Sequence, residues 1–129
     1  MIDIEEIRKK PDKQDWIKIS KKEILLEDFI REFQNKVSWG DISYWQKLSK
    51  GFIREFQDKV DWENISYKQK LSEEFIREFQ DKVNWGNISW KQKLSEGFIV
   101  EFYNKISFNE LVVNKNISNE IKENCRMFI

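Results

Sequence analysis

Residues 62–84 read WENISYKQKLSEEFIREFQDKVN, and nearly the same words stand 23 residues earlier, from Trp39, and 23 residues later, from Trp85. A fixed internal period is the mark of a repeat architecture. Trp16, Trp39, Trp62 and Trp85 keep the step, with Phe108 in the fifth place. Phe29, Phe52, Phe75 and Phe98 keep it too, as do Phe33, Phe56, Phe79 and Phe102, and Val37, Val60, Val83 and Ile106. Four full repeats therefore occupy 16–38, 39–61, 62–84 and 85–107, between an N-terminal cap at 1–15 and a degenerate capping repeat at 108–129.

Inside one repeat, Leu71, Phe75, Phe79 and Val83 recur every four residues with Ile76 beside them, the stripe of an amphipathic helix rather than the alternation of a strand. Ser72 is an N-cap residue, and Glu73 and Glu74 suit the positive end of the helix dipole. Glu78 and Lys82 stand four apart, as do Glu32/Lys36, Glu55/Lys59 and Glu101/Lys105, which predicts a solvated ion-pair ladder. Ser66 with Gln69 has the spacing of a capping box, repeated as Ser43/Gln46, Ser89/Gln92 and Ser20/Glu23. Asp15, Ser38, Asp61, Asn84 and Ser107, all good N-caps, each precede the repeat's aromatic. Each repeat thus reads as a capped turn at the Trp, a short helix, and a helix of about three turns.

A helix pair this small cannot bury two faces alone, but stacked neighbours share one core. The expected fold is all-α, an α-solenoid of four full 23-residue repeats plus degenerate N- and C-terminal caps, in a single repeat domain with the Trp column in its core. In the fifth repeat Ile117, Ile121, Cys125 and Ile129 keep the main stripe, while the column of Ile30, Ile53, Ile76 and Ile99 becomes Lys122, as a face without a following repeat permits. At the other end Ile2 and Ile7 fall in register and Pro11 breaks the helix. Cys125 reads as buried filler. Gly40 and Gly86 follow a Trp, and Gly51 and Gly97 sit two residues after a helix cap; close packing or duplication of a two-repeat block accounts for that alternation.

The chain has no histidine and one cysteine, which excludes an internal disulfide and the usual zinc constellations. It also removes the commonest general base and every Ser-His or Cys-His pair, so no catalytic, cofactor or metal residue is expected and the serines read as structural. Formal net charge is zero, and no 23-residue block from Trp16 departs from neutrality by more than one unit. A surface built to hold polyphosphate carries a surplus of Lys and Arg. No apolar run is long enough to cross a bilayer and MIDIEEIRKK lacks a signal peptide's apolar middle, so residence in the cytoplasm, of a host cell if the chain is viral or phage-encoded, is expected.

The repeat W-x-x-I-S-x-x-Q-K-L-S-E-x-F-I-x-E-F-x-D-K-V resembles short repeats of giant-virus proteins and of some bacterial and phage-associated proteins. The likeness covers residues 16–107 and involves nearly every position of the repeat. It implies a repeat scaffold and carries no catalytic residue and no established ligand.

Repeat proteins bind with the positions that vary. Tyr44, Trp45, Tyr67 and Trp90 lie in the short helix, interleaved with Lys47, Lys68, Lys70, Lys91 and Lys93. A second candidate surface is the column of Arg31, Arg54 and Arg77, which ends at Val100, with Tyr103 where Gln34, Gln57 and Gln80 stand. The aromatics either pack between repeats, leaving the lysines to solvate, or form a contact surface of the residue types that anchor protein interfaces. The first functional reading is a non-enzymatic protein-binding scaffold. Size, composition and the phage association of similar repeats extend it to a mobile-element inhibitor that occludes a host protein, such as an anti-CRISPR or other anti-defence protein. The second is binding of RNA or single-stranded nucleic acid through aromatic stacking and lysine, against which stands the missing positive surplus. The third is structural self-assembly, the chain being a monomer or a closed dimer through the tail Arg126-Met127-Phe128-Ile129.

Overall fold

A computed structural model describes residues 2–127. Among them the chain is all-α, of the helical-repeat solenoid class: α1 (Ile4–Lys9), a 3-10 turn at Pro11–Lys13, α2 (Trp16–Lys22), α3 (Glu27–Glu32), α4 (Trp39–Trp45), α5 (Lys50–Glu55), α6 (Trp62–Lys68), α7 (Glu73–Glu78), α8 (Trp85–Lys91), α9 (Glu96–Glu101), α10 (Phe108–Val112) and α11 (Asn119–Cys125). The residues cluster into two compact units, 1–61 and 62–129, and the boundary falls at the repeat junction before Trp62. In the first unit α2 packs against α4; in the second α6 packs against α8, α8 against α10, and α9 against α11.

The helices differ from the sequence expectation in length. The turn at the Trp and the short helix are one seven-residue helix. A four-residue extended link follows, and the expected three-turn helix is six residues long before it tightens into a turn. In that turn the Phe33 carbonyl accepts from the N–H groups of both Lys36 and Val37, and Phe56, Phe79 and Phe102 do the same one repeat on each time. The apolar spacing is kept because Phe33 and Val37 remain buried after the regular helix has ended. Asp15 and Asn84 cap their Trp helices, and Ser49, Ser72, Ser95 and Ser118 cap the helices that follow the links. Ser38 and Ser107 hold the N-cap position without a side-chain cap, and Ser38 Oγ instead donates to Asp41.

The Ser and Gln of the expected capping box sit elsewhere and do something else. Ser20, Ser43, Ser66 and Ser89 are fully buried inside the Trp helices. Each Oγ accepts the backbone N–H of the residue 18 positions on, Ser38, Asp61, Asn84 and Ser107 respectively, and so fixes the start of the next repeat. Gln46 and Gln92 are buried just after their helices. The Gln92 amide donates to the carbonyls of Ser66 and Gln69 (2.9 and 2.8 Å) and accepts the Leu71 N–H (3.0 Å). Gln46 repeats the pattern on Ser20, Glu23 and Leu25. These are carbonyls a helix end leaves without an internal partner and an N–H in an extended link, groups that must be satisfied once buried. The polar clamp holds the second repeat to the first and the fourth to the third.

The core is the repeated apolar set, with Phe52, Phe75, Phe98, Ile42, Ile65, Ile88 and Leu111 almost wholly covered. The Trp column is half-buried instead. Each indole leans on a Phe, with centroids 5.2 Å apart for Trp39–Phe56 and for Trp85–Phe102. Its Nε1–H donates to a backbone carbonyl: Pro11 for Trp16, Gln34 for Trp39 and Gln80 for Trp85. A buried indole N–H needs such a partner, and the carbonyls that offer one lie at the rim of the stack.

The expected Glu–Lys ladder is also re-paired. Glu32 takes Arg8, Glu55 takes Arg31 and Glu101 takes Arg77, each 24 residues apart, while Lys36 reaches Asp12 and Lys59 reaches Asn35. Along a six-residue helix an i,i+4 partner already lies in the turn; the neighbouring repeat offers a straighter approach. Pro11 opens a 3-10 turn after α1, and Ile7 is buried. At the other end Ile117 and Cys125 are buried and Ile121 is half-buried; Ile129 lies outside the described residues. Lys122 Nζ donates to the Val112 carbonyl at 3.0 Å. That carbonyl corresponds to those of Ser20, Ser66 and Ser89, which receive Gln46, Gln92 and Asn114, so Lys122 does the work of the next repeat's amide. Three of the four glycines do not mark tight packing: a Cβ at Gly51 or Gly97 would meet nothing within 4 Å, and at Gly40 only Asp61 Oδ2 at 3.9 Å, whereas at Gly86 it would stand 3.3 Å from Asn84 Oδ1.

Candidate partner-binding surface

The sixth residue of each Trp helix falls at the rim of the stack, and side-by-side helices bring these residues together. In the second unit Tyr67 of α6 and Trp90 of α8 meet edge to face, with centroids 5.5 Å apart at 67°. Lys91 Nζ lies 4.5 Å from the Trp90 ring and 4.7 Å from the Tyr67 ring. The ring faces attract the ammonium, and such contacts are worth about 0.5–1 kcal/mol at exposed sites. Lys68, Lys70 and Lys93, close to them in sequence, are exposed. In the first unit Tyr44 and Trp45 pack edge to face within one helix, 4.8 Å apart, beside exposed Lys47. Trp45 is 51% exposed and occupies the column that holds Lys22, Lys68 and Lys91 in the other repeats.

The aromatics are packed to different degrees. Tyr67 and Trp90 touch across repeats and contribute to the stack, while Trp45 and Trp90 are 51% and 37% exposed. Tyr44 and Tyr67 are half-buried. Replacing all three of Tyr44, Tyr67 and Trp90 would therefore disturb packing as well as surface, and Trp45 is the cleaner probe.

The arginine column is a different kind of feature. Arg31 Nε bonds Glu55 (3.0 Å), its second arm bonds Asp28 (2.8 Å), and its guanidinium lies over Phe52. Arg77 bonds Glu101 (2.9 Å) and lies over Phe98. The carboxylates push both guanidinium pKa values up, and hydrogen bonding to Arg77 holds the Glu101 carboxyl below its ordinary range. Arg31 and Arg77 thus join successive repeats. Arg54 is exposed, and so is Tyr103, at 54%.

One further exposed region lies in the first repeat. Ile17, Ile24 and Leu26 are exposed in the first repeat, where later repeats carry Gly, Glu or Gly, then Lys, then Ser. The signal was present: Ile24 interrupts the column of Lys47, Lys70 and Lys93, and Leu26 that of Ser49, Ser72 and Ser95. Cys125 is buried, and burial pushes its thiol pKa up, away from the thiolate that reacts. Among the described residues no helix is long and apolar enough to cross a membrane, and no group of three or more His, Cys, Asp or Glu is placed to hold a metal ion. Comparison of the chain with protein-family models, with curated proteins and with solved structures returns no match.

Proposed function

We propose that the chain is a non-enzymatic protein-binding repeat scaffold whose contact surface is the aromatic and lysine set of the Trp helices. The observation that carries this reading is the half-open Trp45 on a column of lysines, with Trp90 and Lys91 forming the corresponding open cluster in the second unit. The other tryptophans, by contrast, lean their rings on the repeated Phe columns. Exposed Trp, Tyr and cationic side chains are the groups from which interface anchors are drawn. A chain of zero net charge carries no general attraction for phosphates, which favours a protein partner over a nucleic acid. Binding of this kind acts by covering the partner's own surface, the simplest form an inhibitor of a host protein takes. Capture of partners from a lysate, repeated from low to high salt, tests the reading. Protein bands retained at high salt support it. A retained pool of nucleic acid that falls away steeply with salt would overturn it in favour of the stacking reading.

A further inference from the structure

Charge is unevenly shared within the second compact unit. Residues 62–129 carry ten Lys or Arg and ten Asp or Glu. Five of those cations, Lys68, Lys70, Lys91, Lys93 and Lys115, fall in the segments 67–72, 90–95 and 113–118, which hold no acid. These segments are the last residues of the Trp helices and the links after them, and hydrogen bonds join each to the next: the Gln92 amide donates to the Gln69 carbonyl, and Asn114 and Asn116 donate to the carbonyls of Gln92 and Lys91. The acids of α6 and α10, Glu63 and Glu110, stand in the first turn, at the other end of the helix. Of the acids that open the following helices, Glu73 accepts from the Ser95 N–H and hydroxyl, and Glu96 accepts from Asn124. Among the described residues no ion pair holds Lys70 or Lys93, and Lys91 has the Tyr67 and Trp90 rings beneath its ammonium in place of a carboxylate.

This exposure is not that of an open end of the stack, because α8 has α6 on one side and α10 on the other. A lysine in the last turn also offsets the helix dipole, which accounts for Lys68 and Lys91. Lys70 and Lys93 lie two residues past the helix ends, beyond that role. Nucleic acid would use the rings by stacking bases on their faces, and Lys91 lies over the Trp90 ring at 4.5 Å from its centroid, on one of those faces. We infer that this rim docks an acidic segment of a protein partner, with carboxylates against Lys70, Lys91 and Lys93 and an apolar side chain against the exposed part of Trp90. The inference rests on the reading of the aromatic and lysine set as the contact surface, and it names the partner's chemistry. The aromatics supply the salt-resistant part of such binding, and the lysines set the choice of partner and the rate of association. Packed helices stand about 8–10 Å apart, the span of about three residues of extended chain, so acids at every third residue match successive links.

The probe is the synthetic peptide EELEELEELE, blocked at both ends, titrated into isotope-labelled full-length protein and followed by amide shifts. Parallel titrations use KKLKKLKKLK and an oligothymidylate of the same length. Saturable shifts centred on Lys70, Trp90, Lys91 and Lys93 are expected with the glutamate peptide and not with the lysine peptide. Lys70→Glu together with Lys93→Glu should weaken the glutamate peptide about tenfold or more and bring in binding of the lysine peptide, because reversal replaces attraction by repulsion. Both positions are exposed and outside the helices, so the variant should keep the parent's circular dichroism and melting temperature. Absent or unsaturable shifts, shifts centred on other residues, or equal binding of the glutamate peptide by the variant would overturn the inference. Tighter binding of the oligothymidylate at the same residues would overturn it too, by assigning the rim to nucleic acid. The variant keeps Trp45, Tyr67 and Trp90, so its undiminished capture of the protein that the parent retains would overturn the acidic partner alone and leave the aromatic surface to its own test.

Discussion

Replacing Gln92 by Leu removes an amide and keeps an apolar side chain of similar size in its place. Gln92 is 5% exposed and its side-chain amide makes three hydrogen bonds, to the Ser66 and Gln69 carbonyls and from the Leu71 N–H. A buried group left without a partner costs about 1–3 kcal/mol, so three groups bracket about 3–9 kcal/mol. Leu gains some transfer energy over Gln, and the small remaining exposure lets water reach part of the site. The expected loss is therefore toward the lower end, about 3–5 kcal/mol, a large share of the 5–15 kcal/mol typical of a folded domain. Urea denaturation followed by far-ultraviolet circular dichroism measures it, and hydrogen exchange at the Leu71 amide localises it. Gln92→Glu is the companion variant: it keeps an acceptor for Leu71 but turns a negative charge toward two carbonyls, and it should be at least as damaging. A loss under about 1 kcal/mol with Leu71 still protected would refute the clamp, because it would mean these groups find partners without Gln92.

Three further outcomes follow from the same contacts. Gly51→Ala and Gly97→Ala should each stabilise by about 0.5–1 kcal/mol in thermal melts, since both glycines lie in helices with open space where a Cβ would go and neither has positive φ. Lys122→Ile should orphan the Val112 carbonyl and lengthen the apolar strip of the last repeat, giving concentration-dependent association by light scattering that Lys122→Gln does not show. Glu101→Gln should flatten the acid limb of the stability profile. The folded carboxyl is held low by Arg77, so this pair's contribution is complete above the unfolded value of about 4.3 and is lost as pH falls through the lower folded one; parent and variant converging nowhere below pH 5 would argue against the pairing.

The period, the helical class, the caps at the helices after the links and the buried Phe, Ile and Val columns were legible from spacing, because each rests on local pattern repeated at a constant step. The polar contacts were not. Ser-x-x-Gln has the same spacing whether Ser starts a helix or lies inside one, and only packing revealed that Ser66 binds the N-cap residue of the next Trp helix and Gln92 the previous repeat. The Glu–Lys pairs looked sufficient because helix geometry was assumed to run for three turns; with the helix ending at Glu32, Glu55 or Glu101, the nearest cation is Arg8, Arg31 or Arg77 of the preceding repeat. A signal for this was available: the Arg column ends at Val100 in the repeat before the Glu column ends at Asn124. Of the candidate surface, the residues were legible and their exposure was not, since the same short helix carries half-buried Tyr44 and open Trp45 side by side.

The central claim is that open aromatics on a lysine background bind a protein partner, and the residues of the other repeats supply the most direct test. Trp45→Lys, Trp90→Tyr and Tyr103→Gln together convert each open aromatic to the residue its column otherwise carries. Captured proteins are compared between this variant and the parent, with melting temperatures measured on the same preparations. The account predicts that the variant melts within a few degrees of the parent, as surface changes generally do, and captures no partner. A variant that captures the same protein as the parent with equal affinity would contradict it.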